Sequence, residues 1–581
     1  MGGPAGHDEG MTKAHHTAKS IAALAEKSGF AELRAGQEEA VSAVLDGQDL
    51  LAVMPTGHGK SAIFQIAARA LDGVTVVVTP LIALQWDQAR HVNEAPHPMR
   101  AVVVNSAESE GDVEEAWAAV AGGEPVMVFL APEQLAKPEV VARLKAAGVV
   151  QFVVDEAHCV SAWGHDFRPD YLHLGEVIDH LGHPVVVALT ATGSAPVRDD
   201  IVDQLHLREP RILVTGFDRP NLHLAVVRHE DAGEKRQAVL EQVAELPKSG
   251  LLYVPTRRDT EEYAAALEKQ AAPETGSAPS VAAFHGAMPA SRKEKVYDEF
   301  HAGALDVVVA TSAFGMGIDK ADLRFVVHSA ITESVDSYYQ EIGRAGRDGE
   351  PAVVVLHYRA EDLGLRSFFV SSTPKPARIR ALVEALQKTA SGCATAAELA
   401  ASLATPVRVL TQQVNLLIEA GVVIETDDGL VLHPGVGTAD AVAAAKEVHD
   451  RRGRIDHSRI DMIRQYAETQ ACRRQFILQY FGEEAPDVCG NCDNCDAGLT
   501  GHRHDVSASG AEAAADAAAH AAGDSSDGFA DGFAIDEVIV HKSLGRGTVT
   551  AVEPDRITVF FDDEGYRVLS RAVLVENALV D

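Results

Sequence analysis

Apolar residues in this chain come in short, nearly unbroken runs separated by longer stretches with helical spacing. Leu50–Met54, Val74–Val78, Ala101–Val104, Val126–Leu130, Phe152–Val154 and Val185–Leu189 form a first series. Leu251–Val254, Val281–Phe284, Val307–Ala310, Phe325–Val327 and Val353–Leu356 form a second. Valine-rich runs without apolar–polar alternation predict parallel strands covered by helices on both faces. The pattern therefore predicts two doubly wound α/β lobes, over residues 16–215 and 216–360. Ligands of such sheets sit beyond the carboxyl ends of the strands.

After residue 360 the pattern changes. Residues 361–436 predict a winged helix: a short helix from Thr395, a second over Pro406–Ala420, and a hairpin of Val422–Ile424 and Leu430–Leu432 turning at Asp427-Asp428-Gly429. The hairpin is acidic (Glu425, Asp427, Asp428), so a DNA-binding role and a purely structural one both stay open. Residues 437–496 read as a helical module ending in a cysteine cluster, and 497–533, rich in Ala, Gly, Ser and Asp, as a flexible linker. Alternation returns in Val538–Val540, Gly547–Val552, Ile557–Phe561 and Tyr566–Leu569, predicting a small SH3- or Tudor-like barrel over 534–581. Residues 1–15 have no apolar period and predict a disordered start.

Composition narrows the class. A chain of 581 residues exceeds one core and predicts several domains. No apolar run is long enough for a membrane span, and Met1–Ser20 lacks the apolar stretch of a secretory signal, so a soluble, cytoplasmic, nucleoid-associated protein is expected. A net charge of −34 by itself argues against a nucleic-acid binder. Binding needs only a local basic track, and seven arginines face three acids between Arg451 and Gln475. The barrel carries nine acids against five bases, which favours a protein partner there over DNA. Four of the six cysteines cluster as Cys472, Cys489, Cys492 and Cys495. This spacing suits a closed tetrahedral zinc site and by itself leaves an iron–sulfur cluster open. Cys159 and Cys393 read as small buried residues.

Candidate chemistry falls at the predicted strand ends. Pro55-Thr56-Gly57-His58-Gly59-Lys60-Ser61 lies between a strand and a helix, where loop amides and the helix start face anions. Lys60 would reach the β- and γ-phosphates and Ser61 would ligate Mg²⁺, although Met54 stands where the strict loop pattern has its first glycine. Asp155 and Glu156 end another strand: Asp155 to hold Mg²⁺, Glu156 to orient the attacking water and accept its proton. The following loop carries Trp163, His165, Phe167 and Arg168, groups that stack on bases and hold phosphate. In the second lobe Arg344 and Arg347 are spaced to stabilise charge on a γ-phosphate. That lobe has no Lys-Ser loop of its own, so ATP is expected between the lobes. Alone, each feature has a blander reading: a chance turn, a solvated acidic pair, a surface arginine pair. Together at strand ends they favour catalysis.

Residues 17–360 resemble the superfamily two helicase core, specifically the RecQ DNA helicase family. Leu33-Arg34-Ala35-Gly36-Gln37 is similar to the family's adenine-reading motif, which implies that Gln37 bonds adenine while Phe30 and Arg34 flank it. Met54–Ser61 resembles motif I in its helicase form, with His58 where many members have glycine; Thr79–Gln88 resembles motif Ia and Asp155–His158 motif II. Cys159–Tyr171 resembles the family's aromatic-rich loop, which implies that Trp163, His165, Phe167 and Arg168 couple DNA binding to hydrolysis. Ala188–Thr192, Phe284-His285-Gly286, Ala310–Lys320 (with Asp319) and Gln340–Arg347 resemble motifs III to VI. The last implies Arg347 as arginine finger and Arg344 as a second phosphate contact, beside Gln340. Phe217-Asp218-Arg219-Pro220-Asn221 resembles the junction between lobes. Cys472–Cys495 resembles the RecQ zinc module, and the C-terminal barrel that of UvrD-type helicases.

The chain departs from the RecQ pattern in placing the winged helix before the zinc module, without an aromatic hairpin tip, and in lacking an HRDC-like domain. The resemblance implies a monomeric ATP-dependent 3′→5′ DNA helicase using ATP, Mg²⁺ and Zn²⁺ on single-stranded and branched DNA, in repair, recombination and replication. The rivals are a translocase that does not unwind, an ATP-switched scaffold recruiting partners through the barrel, and an RNA helicase.

Overall fold

The computed structural model describes residues 18–500 and 533–580 apart from 56, 81, 106, 162–167, 271–277, 315–319, 365–374, 390–391, 427–428, 484, 553–555 and 577–578. The expected disordered start and most of the expected linker lie outside the described residues. Two compact units divide the chain, one of residues 1–193 and 197–216, the other of 194–196 and 217–581.

The first unit is one seven-stranded sheet. Its strands are β1 (Leu50–Val53), β2 (Val74–Val78), β3 (Arg100–Val104), β4 (Val126–Leu130), β5 (Val149–Val154), β6 (Val185–Thr190) and β7 (Arg211–Val214), in the order β3-β4-β2-β5-β6-β1-β7. Every pairing is parallel. β1, β2 and β4 are buried at every position because helices such as Lys60–Leu71 pack on the sheet, giving a core of Val41, Ile63, Phe64, Val77, Phe129 and Leu189. β7 is absent from the apolar pattern for a physical reason: it is an edge strand, and three of its four residues are exposed.

The second unit begins with a six-stranded parallel sheet: β8 (Leu222–Arg228), β9 (Gly250–Tyr253), β10 (Val281–Phe284), β11 (Val307–Ala310), β12 (Phe325–His328) and β13 (Ala352–Tyr358), ordered β10-β11-β9-β12-β13-β8. β8 also escaped the pattern; it is an edge strand that alternates buried and half-buried residues. Next come helices Pro376–Lys388, Ala396–Ser402 and Val407–Glu419 with a small sheet of β14 (Cys393–Ala394), β15 (Val423–Thr426) and β16 (Gly429–Leu432). Their core, centred on Leu382, Leu410, Leu417 and Leu430, is shared with Ala441 and Ala445 of the long helix Thr438–Glu468. The short helix Arg473–Tyr480 and the cysteine loop follow. The chain ends in an antiparallel meander of β17 (Val538–His541), β18 (Gly545–Val552), β19 (Arg556–Phe561) and β20 (Gly565–Ser570). Among the described residues no helix is long and apolar enough to cross a membrane.

The arginine-rich stretch 451–475 is not an open basic track. Arg451 and Arg452 pair with Glu419, Arg459 with Asp456 at 3.2 Å and Arg464 with Asp461 at 3.3 Å. Arg454 donates to the Asp563 carbonyl at 2.7 Å. Each arginine of the stretch has a partner within the fold; Arg473 and Arg474 are buried, whereas Arg454 and Arg464 pair at the surface.

Candidate active site and metal centre

The phosphate loop is built as one hydrogen-bonded body with the segment before it. Gly57 and Gly59 take φ of 80° and 78°, a left-handed backbone that favours glycine. A Cβ on Gly59 would lie 2.7 Å from Gln37 Nε2. Gln37 is buried at the start of helix Gln37–Leu45; its Nε2 donates to the carbonyls of His58 (3.0 Å) and Gly59 (2.8 Å), and its Oε1 accepts from Arg34 N–H at 2.7 Å. The Arg34 guanidinium reaches the Gly57 carbonyl, and the His58 ring lies 3.3 Å from the Ala35 carbonyl. Phe30 packs against His91 with centroids 5.7 Å apart. Gln37 thus shapes the loop through the same amide expected to read adenine. Lys60 Nζ donates to the Met54 carbonyl at 3.1 Å, and Ser61 opens the first turn of helix Lys60–Leu71. Thr56 lies outside the described residues.

β5 delivers the carboxylates. Asp155 is buried, and its N–H extends the sheet to the Val78 carbonyl at 2.9 Å. Burial, and then the Glu156 carboxylate, push Asp155 up to about 7 against the pull of Lys60. A carboxylate desolvated in this way and facing one lysine has the donor set for a divalent cation, and fits Mg²⁺. Glu156 holds a left-handed φ of 50°, unusual for a residue with a side chain. Its Oε2 is buried without a hydrogen bond among the described residues; His158 Nδ1, 3.4 Å away, bonds Thr190 Oγ1 at 3.0 Å instead. Thr190 Oγ1 in turn donates to the Thr192 carbonyl at 2.7 Å, so the acidic turn and the end of β6 are linked. Trp163, His165 and Phe167 lie outside the described residues. The loop that carries them is closed at its base, where Arg168 N–H donates to the Cys159 carbonyl at 2.9 Å and Tyr171 N–H to the Arg168 carbonyl at 2.9 Å.

In the second unit, helix Val335–Ile342 leads into the turn that carries Arg344 and Arg347, with Gln340 half-buried on the helix. Sequence reasoning missed the residues that hold this turn. Arg219 donates to the carbonyls of Gly343 (3.2 Å), Ala345 (2.8 Å) and Gly346 (3.0 Å). Asn221 Nδ2 donates to Gly346 (2.8 Å) and Glu350 (2.9 Å). Gly346 has φ of 56°, and a Cβ there would meet Asn221 Nδ2 at 2.4 Å. The available signal was the string Phe217–Asn221, read only as a junction. Asp319 lies outside the described residues. A groove lined by Pro255, Thr256, Arg257, Gly286, Thr311 and Ser312 opens at the carboxyl ends of β9, β10 and β11.

Cys472, Cys489, Cys492 and Cys495 place their sulfurs within 4.8 Å of one another, with Cys489 and Cys495 Sγ 3.8 Å apart. Sulfurs bound at about 2.3 Å around a tetrahedral zinc are about 3.8 Å apart, so the four thiols fit zinc. Cys472 immediately precedes helix Arg473–Tyr480 rather than lying on it. The cluster is clasped to β8: Arg474 donates to the Leu222 carbonyl at 2.8 Å, Asn491 Nδ2 to Pro220 at 2.9 Å, and Val226 N–H to Asp493 at 2.8 Å. Arg473 is held between Asp493 and the Tyr466 carbonyl. Arg474 and Asn491 thus attach the metal module to the start of β8, directly after Arg219 and Asn221 in the chain.

A lobe with a phosphate loop and an acidic strand end, a second parallel-sheet lobe with an arginine turn, and an attached four-cysteine module define a helicase-type ATPase fold. The comparisons agree. Residues 34–200 match the DEAD/DEAH box helicase family, 234–349 the helicase conserved C-terminal domain, and 437–496 the RecQ zinc-binding family. The chain is 30% identical over 496 residues to ATP-dependent DNA helicase RecQ of Bacillus subtilis, covering 85% of this chain and 68% of that protein. It is 31% identical to the probable ATP-dependent DNA helicase RecS of the same organism, covering 81% and 91%. The crystal structure of the DUF1998 helicase MrfA bound to DNA and AMPPNP shares the fold, with a TM-score of 0.51 at 17% identity over 72% of this chain and 62% of that one. The chain belongs to the RecQ family of ATP-dependent DNA helicases.

Proposed function

We propose that this chain is an ATP-dependent DNA helicase that moves 3′→5′ along single-stranded and branched DNA in repair, recombination and replication. The observation that carries the reading is that the Gln37-braced phosphate loop and the buried Asp155 beside Glu156 lie at the carboxyl ends of β1 and β5 in one parallel sheet. Lys60 and the loop amides bind the phosphates, with Thr56, Gly57, His58 and Gly59 shaping the cradle. Ser61 and Asp155 hold Mg²⁺, which offsets phosphate charge when bound. Glu156 orients the attacking water and accepts its proton. Arg347 and Arg344 meet charge developing on the γ-phosphate, with Gln340 beside them. Phe30, Arg34 and Gln37 receive the adenine, and Asp319 belongs to the nucleotide-contacting set. Trp163, His165, Phe167 and Arg168 contact DNA. The groove beside Arg257 and Thr311 is a second DNA contact, suited to backbone phosphate by its arginine and by the helix start at Arg257. The four-cysteine cluster holds zinc and fixes the arginine turn. The protein acts as a monomer, with the acidic barrel as the surface for a protein partner.

The test is ATP turnover by the purified chain with and without single-stranded DNA, with Lys60→Ala as the blank. DNA-stimulated turnover supports the motor. Turnover indifferent to DNA would overturn it.

A further inference from the structure

The C-terminal meander follows the cysteine cluster by more than thirty residues of sequence, yet it is seated closely on the same unit. β20 lies against the long helix Thr438–Glu468. Tyr566 N–H donates to Ser458 Oγ at 2.9 Å, and Ser458 Oγ donates to the Ile455 carbonyl at 2.7 Å. Arg454 bonds the Asp563 carbonyl and pairs with Glu564 at 3.2 Å. Gly565 makes the approach possible: its φ is 69°, and a Cβ would sit 2.1 Å from Ser458 Oγ and 3.1 Å from Ile455 Cα. A left-handed glycine pressed on a helix backbone is a fitted seat, not the surface of a loosely tethered module.

From that seat a buried chain of side-chain contacts runs to the arginine turn. The rings of Tyr566 and Tyr480 pack with centroids 5.2 Å apart. Tyr480 OH donates to Asp336 Oδ2. Asp336 is the second residue of helix Val335–Ile342, which ends at Gly343 and passes directly into Arg344 and Arg347. All three side chains are buried. A phenol and a carboxylate away from water are costly unless each satisfies the other, so the bond from Tyr480 to Asp336 resists rotation of the helix, and the Tyr566 ring holds Tyr480 in place. Two further bonds pin the same helix from other sides: Tyr338 OH to Tyr466 OH at 3.2 Å and Tyr339 OH to the Phe217 carbonyl at 2.8 Å. Tyr566 is the barrel's contribution to this set.

We infer that the C-terminal barrel is a built-in brace for the arginine turn, acting through Tyr566, Tyr480 and Asp336, and that its docking sets the turnover number of the ATPase. Tyr566 and Tyr480 are positioning residues. The inference rests on the ATPase reading of Arg344 and Arg347.

The test uses the full chain and two variants. Gly565→Val forces a branched side chain into the seat and undocks the barrel; Tyr566→Leu keeps an apolar side chain there and removes the ring packed on Tyr480. Docking is read by hydrogen exchange of peptides spanning 453–460 and 565–570, and folding by zinc content. Undocking is expected to raise exchange in both peptides and lower kcat about tenfold, with KM for ATP within about twofold. Tyr566→Leu is expected to lower kcat by about threefold with exchange near wild type. Faster exchange with unchanged or raised kcat would overturn the brace, as would Gly565→Val with unchanged exchange. A Gly565→Val chain that loses zinc has failed to fold, and Tyr566→Leu then decides: wild-type kcat overturns the brace. If the wild-type chain turns over no ATP, the ATPase reading fails first, and the brace with it.

Discussion

Arg219 is the residue whose substitution separates this account most sharply from a reading of the motifs alone. Its guanidinium makes three hydrogen bonds to the backbone of the arginine turn, and the carbonyls of Gly343, Ala345 and Gly346 that accept them belong to buried residues. Arg219→Lys keeps the charge but loses the planar fork, so one of the three bonds survives. Each lost charge-assisted bond costs roughly 1.5–3 kcal/mol. Two of them cost about 3 kcal/mol at the low end, which falls on the placement of Arg344 and Arg347. If that whole cost is felt at the transition state, kcat falls about 100-fold. The assay is steady-state ATP turnover at saturating single-stranded DNA, with KM for ATP measured beside kcat and folding checked by zinc content and thermal melting. A lower kcat with KM within about threefold is expected, because the substituted side chain lies on the turn and not on the phosphate loop. Arg219→Lys with wild-type kcat and wild-type melting would refute the reasoning.

Cys492→Ser removes a buried zinc ligand that pairs with Leu224 at the edge of β8. Structural zinc contributes about 10–16 kcal/mol to small modules at neutral pH, so the variant should lose zinc and much of its turnover, with excess zinc not restoring it. Gln37→Ala should raise KM for ATP at least tenfold, since the His58 and Gly59 carbonyls lose the amide that donates to them and the base contact is lost as well; an unchanged KM would show that the loop holds its shape without Gln37. His357 is kept neutral by burial, which pushes it down to about 3. Its folded pKa is depressed, so its stabilisation is complete above about pH 6.5 and is lost at about 1.4 kcal/mol per pH unit as pH falls below that; melting of His357→Gln should depend less on pH across 4–6.5. Arg257→Gln should weaken DNA binding and reduce the slope of log affinity against log salt by about one, while basal turnover without DNA is unaffected.

What could be read from the sequence followed burial. Strands covered on both faces, such as β1, β2 and β4, announce themselves as apolar runs. Edge strands β7 and β8 do not, because solvent on one side admits Arg211, His223 and Arg228. Catalytic candidates were legible because phosphate and metal chemistry demands particular residue types at strand ends. The clamps Arg219 and Asn221 were not, since a side chain that bonds main-chain carbonyls leaves no spacing rule behind. The same holds for the arginines of residues 451–475: composition marked them as a basic track, and only the fold shows Glu419 standing against Arg451 and Arg452 and Asp493 against Arg473. The small module with helix Val407–Glu419 and the β15–β16 hairpin was readable from turn chemistry and helix spacing, whereas the seating of the barrel depends on a contact between Gly565 and Ser458 more than a hundred residues apart.

The central claim is that ATP turnover is coupled to strand separation on DNA. Its most direct test is unwinding of 3′-tailed and 5′-tailed duplexes by the same preparation whose ATP turnover is followed, with Lys60→Ala as the blank. The account predicts ATP-dependent separation of the 3′-tailed duplex only. DNA-stimulated turnover that separates neither duplex would contradict it and leave a translocase.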